Sequence, residues 1–170
     1  MKSQRTEHSI FVKDGGELLL SGPLLSELLC AVFQRGMPFR FQANGFSMSP
    51  FIKDGDVVFV FPLTNVSPGL GDVLAFIDKE TENIIIHRAV GKKGDCYLMK
   101  GDNSSQADGL IPEEDILGYV KCIERNGKKT FVGLGPERLL IAFINGRRPF
   151  FHLIRPLKRL VSPVFRRLST

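Results

Sequence analysis

Between Pro38 and Phe131 the chain is cut into short apolar runs by turn residues, and this spacing most limits what it can become. The turn signals are Asp54-Gly55, Pro68-Gly69, Gly94-Asp95 and Asn126-Gly127. The runs between them are rich in Val, Ile and Phe and have the length of strands, not helices. Strands are predicted over 38–43, 57–62, 72–77, 83–90, 96–99, 117–124 and 129–132. Many short strands with frequent turns point to an all-β barrel or folded sheet, so the chain is expected to be mainly β.

The flanks read differently. Ser21-Gly22-Pro23 has the residues of a helix start. Leu24, Leu25, Leu28, Leu29, Val32 and Phe33 then fall on one helical face, and Gly36 ends it. A short strand is expected over 9–13, and a second short helix over 136–146. The expected division is an N-terminal extension with one amphipathic helix (1–36), a β domain (37–132) and a basic helical tail (133–170). At 170 residues with 43% apolar content, one hydrophobic core is affordable and a disordered chain is not expected.

The net charge is +5, but it is unevenly spread. Beyond residue 136 stand Arg138, Arg147, Arg148, Arg155, Lys158, Arg159, Arg166 and Arg167, with Glu137 as the only acid. That stretch is +7, which leaves −2 for the rest. A mildly acidic body argues against a whole-surface nucleic-acid binder, and no specific nucleic acid is expected. The three cysteines, Cys30, Cys96 and Cys122, form no C-x-x-C pair, so neither a disulfide framework nor a metal site is expected, and no cofactor. With no apolar leader and no run of about 18 apolar residues, the expectation is a cytoplasmic protein, at most peripheral to a membrane.

Three segments carry chemistry. Gly45-Phe46-Ser47-Met48-Ser49-Pro50 offers a hydroxyl beside a glycine that lets the backbone turn sharply. A serine hydroxyl attacks only when exposed and next to a base, and backbone N–H groups at such a turn can hold an oxyanion. Ile84-Ile85-Ile86-His87-Arg88-Ala89-Val90 is an apolar strand interrupted by His87, whose side-chain type titrates near neutrality at about 6.5 and suits proton transfer. Lys100-Gly101-Asp102-Asn103-Ser104-Ser105-Gln106-Ala107-Asp108 offers two carboxylates, either of which can orient an imidazole. Taken singly, each segment is better explained by a bland reading: a turn serine, a strand-edge histidine and a solvated polar loop.

Taken together and in order, these segments resemble the signal peptidase I and LexA-type serine peptidase superfamily. The Gly-x-Ser-Met-x-Pro box is followed by Asp54-Gly55-Asp56-Val57-Val58, then Gly71-Asp72-Val73-Leu74-Ala75-Phe76. His87-Arg88-Ala89-Val90, Lys100-Gly101-Asp102-Asn103 and Gly118-Tyr119-Val120 complete the series, covering roughly 43–123. The resemblance implies a folded antiparallel sheet with a surface groove, Ser47 as nucleophile and His87 as base. Histidine at the base position resembles the Ser-His-Asp branch of archaeal and endoplasmic-reticulum signal peptidases. On that branch Asp108 matches the orienting acid, and Asp102 matches an acid that shapes the site. Many signal peptidases carry serine where this chain has Gly45. The oxyanion hole would then rely on backbone N–H groups, with Asn44 as a helper. Phe46 and Met48 are candidates for the groove wall, and equally for the core.

The resemblance also implies a polypeptide substrate, bound as an extended strand with small residues just before the cut. Two other readings use the same fold. A LexA-like self-cleaving regulator needs a DNA-binding domain, yet only 46 residues with one convincing helix precede Ser47, and no Ala-Gly or Cys-Gly bond lies among them. A non-catalytic binding module is the other. Finally, Phe150 to Leu168 interleaves apolar and basic residues at helical spacing, broken by Pro149, Pro156 and Pro163. Residues 147–170 are therefore expected as short helical pieces that pack on the domain or touch an anionic membrane surface.

Overall fold

A computed structural model of the chain describes residues 11–13, 17–19, 22–64, 66–81 and 83–146. The tail expected over 147–170, with its membrane contact, and the start of the strand expected over 9–13 lie outside the described residues.

A small hairpin pairs β1 (Phe11–Lys13) with β2 (Glu17–Leu19). Helix α1 (Gly22–Gln34) follows. It ends where the sequence says it should: Gly36 takes φ +69°, its N–H bonds Phe33 O, and the Met37 N–H bonds Val32 O. These two bonds satisfy carbonyls that a helix end otherwise leaves unpaired. Leu29 is fully buried and Phe33 packs on the sheet core, whereas Leu28 faces outward. Complete burial of one such leucine contributes roughly 1.5–3 kcal/mol.

The main sheet contains β3 (Phe39–Gln42), β4 (Val57–Pro62), β5 (Val73–Ile77), β6 (Ile84–Lys93), β7 (Cys96–Lys100), β8 (Gly109–Pro112), β9 (Ile116–Arg125) and β10 (Lys128–Thr130). Its order is β3-β4-β9-β5-β6-β7-β8, with β10 paired to β9, and every pairing is antiparallel. The chain is thus mainly β, as its turn spacing implies. Irregular registers interrupt β4–β9, β5–β9 and β6–β7. Such bulges bend and twist a sheet, which lets this one fold over itself.

Folding produces two cores. Val73 and Ala75 of β5 face one, with Val58, Val60, Val120 and Ile123. Leu74 and Phe76 face the other, with Ala89, Tyr97 and Met99. Alternation sends neighbours to opposite faces, so a strand buried on both must be apolar throughout, and β5 is. The Asn126-Gly127 turn has φ of +52° and +72°, the two left-handed residues that a tight hairpin between β9 and β10 needs.

Two expectations shift. The turn read at Pro68-Gly69 lies two residues later, at Leu70-Gly71, because Asp72 closes it: the Asp72 N–H bonds Gly69 O, and its carboxylate accepts the Gly69 N–H. Strand β8 was not expected. It is four residues long, ends in proline and lies at the sheet edge, where one side of the ladder is unneeded. Helix α2 (Arg138–Gly146) falls within the helix expected over 136–146 and packs against β6.

Candidate active site

The loop from β3 to β4 carries Ser47. Its ends are stitched by bonds from the Ala43 N–H to Asp56 O and from the Gly55 N–H to Ala43 O. Gly45 takes φ +98°, a region that side chains disfavour, and its N–H donates to Asp54 Oδ1 at 2.7 Å. Asp56 accepts the Lys53 N–H and a bidentate pair from Arg125, at 2.8 and 2.6 Å. The Arg125 hydrogen bonds hold the Asp56 carboxyl below the ordinary carboxylate range, and the Lys53 N–H adds to this. Arg125 also donates to Phe51 O. Met48 and Ile52 sink into the core, so the turn between them and Gly45 lifts Ser47 to the surface. Phe46 is 68% exposed. Among the described residues, the N–H groups of Ser47 and Met48 have no hydrogen-bond acceptor.

His87 sits on β6. Its Nδ1 lies 2.6 Å from Asp108 Oδ2. An ionised carboxylate only accepts, so Nδ1 carries the proton and Nε2 of the neutral ring is left as an acceptor. Asp108 is placed by its own N–H, which bonds Met99 O at the start of the β7–β8 pairing. The ring of Phe76 flanks the imidazole at 6.5 Å between centroids.

The loop after β7 closes on the serine loop. The Asn103 N–H donates to Ser47 O at 2.7 Å, and Asn103 Nδ2 donates to Phe46 O at 3.2 Å. Gly101 makes this approach feasible: a Cβ there would meet Ser104 Oγ, and would stand 2.7 Å from Ser47 O and 2.9 Å from His87 Nε2. Ser47 and His87 line one groove together with Phe41, Asn44, Gly45, Met48 and the Ile84–Ile86 segment. No hydrogen bond joins the Ser47 hydroxyl to His87 in this arrangement. Of the groove candidates, Met48 lines it from the core and Phe46 stands outside the lining.

Asp102 lies elsewhere. It is buried and pairs bidentately with Arg88, at 2.7 and 2.6 Å, and accepts Asn145 Nδ2 from α2. Arg88 is wholly buried, and its Nη1 donates to Gly71 O and Gly133 O. Its guanidinium also stacks on Phe51. The structure therefore brings Ser47, His87, Asp108, Asn44 and Gly45 to one place, and directs Asp102 to Arg88.

Sequence reasoning did not single out Asn103, Gly101, Arg88 or Asn145. For Arg88 a signal was there: a cation inside an apolar strand requires a buried partner. Asn145 had none, since one asparagine near a helix end reads as solvent-facing. Among the described residues, no group of three or more His, Cys, Asp and Glu is placed to hold a metal ion. Among them, too, no helix is long and apolar enough to cross a membrane.

An antiparallel sheet folded on itself, with a serine turn facing a histidine strand across a groove, defines the LexA and signal-peptidase class of serine peptidase folds. The family model described as Peptidase S24-like matches residues 26–121, from α1 into β9. The chain belongs to that family, one of serine peptidases and LexA-like proteins. No curated protein matches the chain.

Proposed function

We propose that the chain is a serine endopeptidase of the signal-peptidase type, on the Ser-His-Asp branch, that cuts extended segments of client polypeptides. The observation that carries this reading is the 2.6 Å contact between His87 Nδ1 and Asp108, with His87 and Ser47 lining one groove. His87 Nε2 takes the proton of the Ser47 hydroxyl as Oγ attacks the substrate carbonyl. Asp108 fixes the tautomer and stabilises the imidazolium. The Ser47 and Met48 N–H groups are available to the developing oxyanion. Collapse expels the amine, which receives the proton from His87, and water then hydrolyses the acyl-enzyme on Ser47.

The groove suits a strand. Among the described residues β3 is the outer strand of the sheet, and Ile84–His87 of β6 pairs with β5 alone, because the β7 pairing begins at Arg88. Two open ladder edges thus border the groove, and an extended peptide adds to such edges through its backbone. As the resemblance implies, small residues are expected before the cut.

The test is incubation of the purified chain with a peptide library, read by mass spectrometry. Cuts at a consistent site that disappear in Ser47→Ala, with its melting temperature unchanged, are the expected result. Absence of cutting by the native chain would leave a LexA-like binding module instead. Equal cutting by Ser47→Ala would move the nucleophile to another hydroxyl, with Ser49 the first to examine.

A further inference from the structure

Two peptide units carry the N–H groups offered to the oxyanion: the unit from Phe46 to Ser47 and the unit from Ser47 to Met48. A trans peptide is planar, and its C=O and N–H point in opposite directions. Whatever fixes the two carbonyls therefore aims the two N–H groups. One residue grips both carbonyls. The Asn103 N–H donates to Ser47 O at 2.7 Å, and Asn103 Nδ2 donates to Phe46 O at 3.2 Å. Phe46 O also accepts the Ser49 N–H at 3.1 Å, whereas among the described residues Ser47 O accepts from Asn103 alone. A short side chain with a donor suits this task. Aspartate of the same shape offers only acceptors when ionised, and alanine offers nothing.

The resulting direction is the one that acyl transfer needs. A Cβ at Gly101 would stand 2.7 Å from Ser47 O and 2.9 Å from His87 Nε2, so that carbonyl and the base lie on one side of the serine loop. The Met48 N–H consequently points away from the base. His87 must serve the Ser47 hydroxyl and then the leaving nitrogen, so the oxyanion has to be held on another side. A carbonyl that accepts a hydrogen bond also polarises its own peptide, which strengthens the N–H as a donor. The grip is anchored from within. Asp102, one residue earlier, is buried against Arg88 and Asn145, and the Ser104 N–H closes the turn on Gly101 O. Donors preset in this way need no reorganisation as charge develops. We infer that Asn103 is a positioning residue that sets the oxyanion hole by holding the carbonyls behind it, an inference that rests on the peptidase reading.

The test compares the native chain with Asn103→Ala on a peptide that the native chain cuts, and on the aldehyde of its acyl half. Ser47 Oγ adds to the aldehyde carbon, its proton passes to His87, and the carbonyl oxygen becomes the anion. The matching alcohol cannot form that anion and reports ground-state binding. Asn103 is exposed, so its truncation should leave the melting temperature nearly unchanged. Turnover should fall by about tenfold or more, with KM held within about twofold. Affinity for the aldehyde should fall by about tenfold or more, and affinity for the alcohol should stay as it was. Asn103→Asp keeps the shape without the donor, should behave alike, and serves if the alanine variant misfolds. Native turnover and native aldehyde affinity in both variants would overturn this inference and spare the peptidase reading. A lower melting temperature with a higher KM at native turnover would also overturn it, leaving Asn103 as a tie between loops. A native chain that neither cuts peptides nor binds their aldehydes would end both readings together.

Discussion

His87 and Arg88 are consecutive on β6, so the pleat sends their side chains to opposite faces. Each meets its own carboxylate: His87 meets Asp108 in the groove, and Arg88 meets Asp102 in the interior. This division separates two effects that activity alone would confuse. Asp108→Asn removes the group that orients the imidazole, and turnover should fall by roughly 10²–10⁴-fold with the melting temperature nearly unchanged. Asp102→Asn leaves a fully buried guanidinium without its counter-charge, and should cost roughly 3–5 kcal/mol of stability. Turnover and thermal melts of the two variants check this. Loss of turnover on Asp102→Asn in a fully folded protein, with Asp108→Asn active, would reverse the assignment.

At the scale of elements, the β3–β4 loop depends on Asp56. Its carboxyl is held below the ordinary range by Arg125, so the folded state prefers the ionised form. A carboxyl lowered on folding contributes stability at pH above the unfolded value of about 3.9, and loses it as pH falls through the lowered folded value. The native chain should therefore lose stability steeply below about pH 4, and Asp56→Asn should flatten that slope while lowering the melting temperature at pH 7. Thermal melts from pH 7 to pH 2 decide it; equal slopes would remove Asp56 from the account. The same scale shows what could be read beforehand. Strand β4 matches the run at 57–62 because Val, Phe and Val alternate between core and surface. β8 was hidden because Leu110 and Ile111, between Gly109 and Pro112, form too short a run to carry a period. The members of the site were legible because each box carries its own residue types. The 21-residue span from His87 to Asp108 was not, since only the β7 hairpin brings them together.

At the scale of the whole molecule, β3 and Ile84–His87 are open edges among the described residues and border one groove, so recognition should run through the substrate backbone. Methylating peptide nitrogens on both sides of the cut removes donors without changing side chains. Each lost hydrogen bond is worth about 1 kcal/mol, so two or three should raise KM by roughly tenfold or more. A good substrate whose N-methylated form is cut with an unchanged KM would show that side chains alone are read.

The arrangement around β6 also bears on how such a protein changes over time. The interior pair of Arg88 and Asp102, with Asn145 and the carbonyls of Gly71 and Gly133, carries the architecture. The groove-side pair of His87 and Asp108 carries none of those bonds. Selection can therefore exchange one proton acceptor for another at the groove without rebuilding the interior. A lineage is free to explore new reactivity on an old scaffold, one side chain at a time, with the risk of misfolding confined to the opposite face of the same strand.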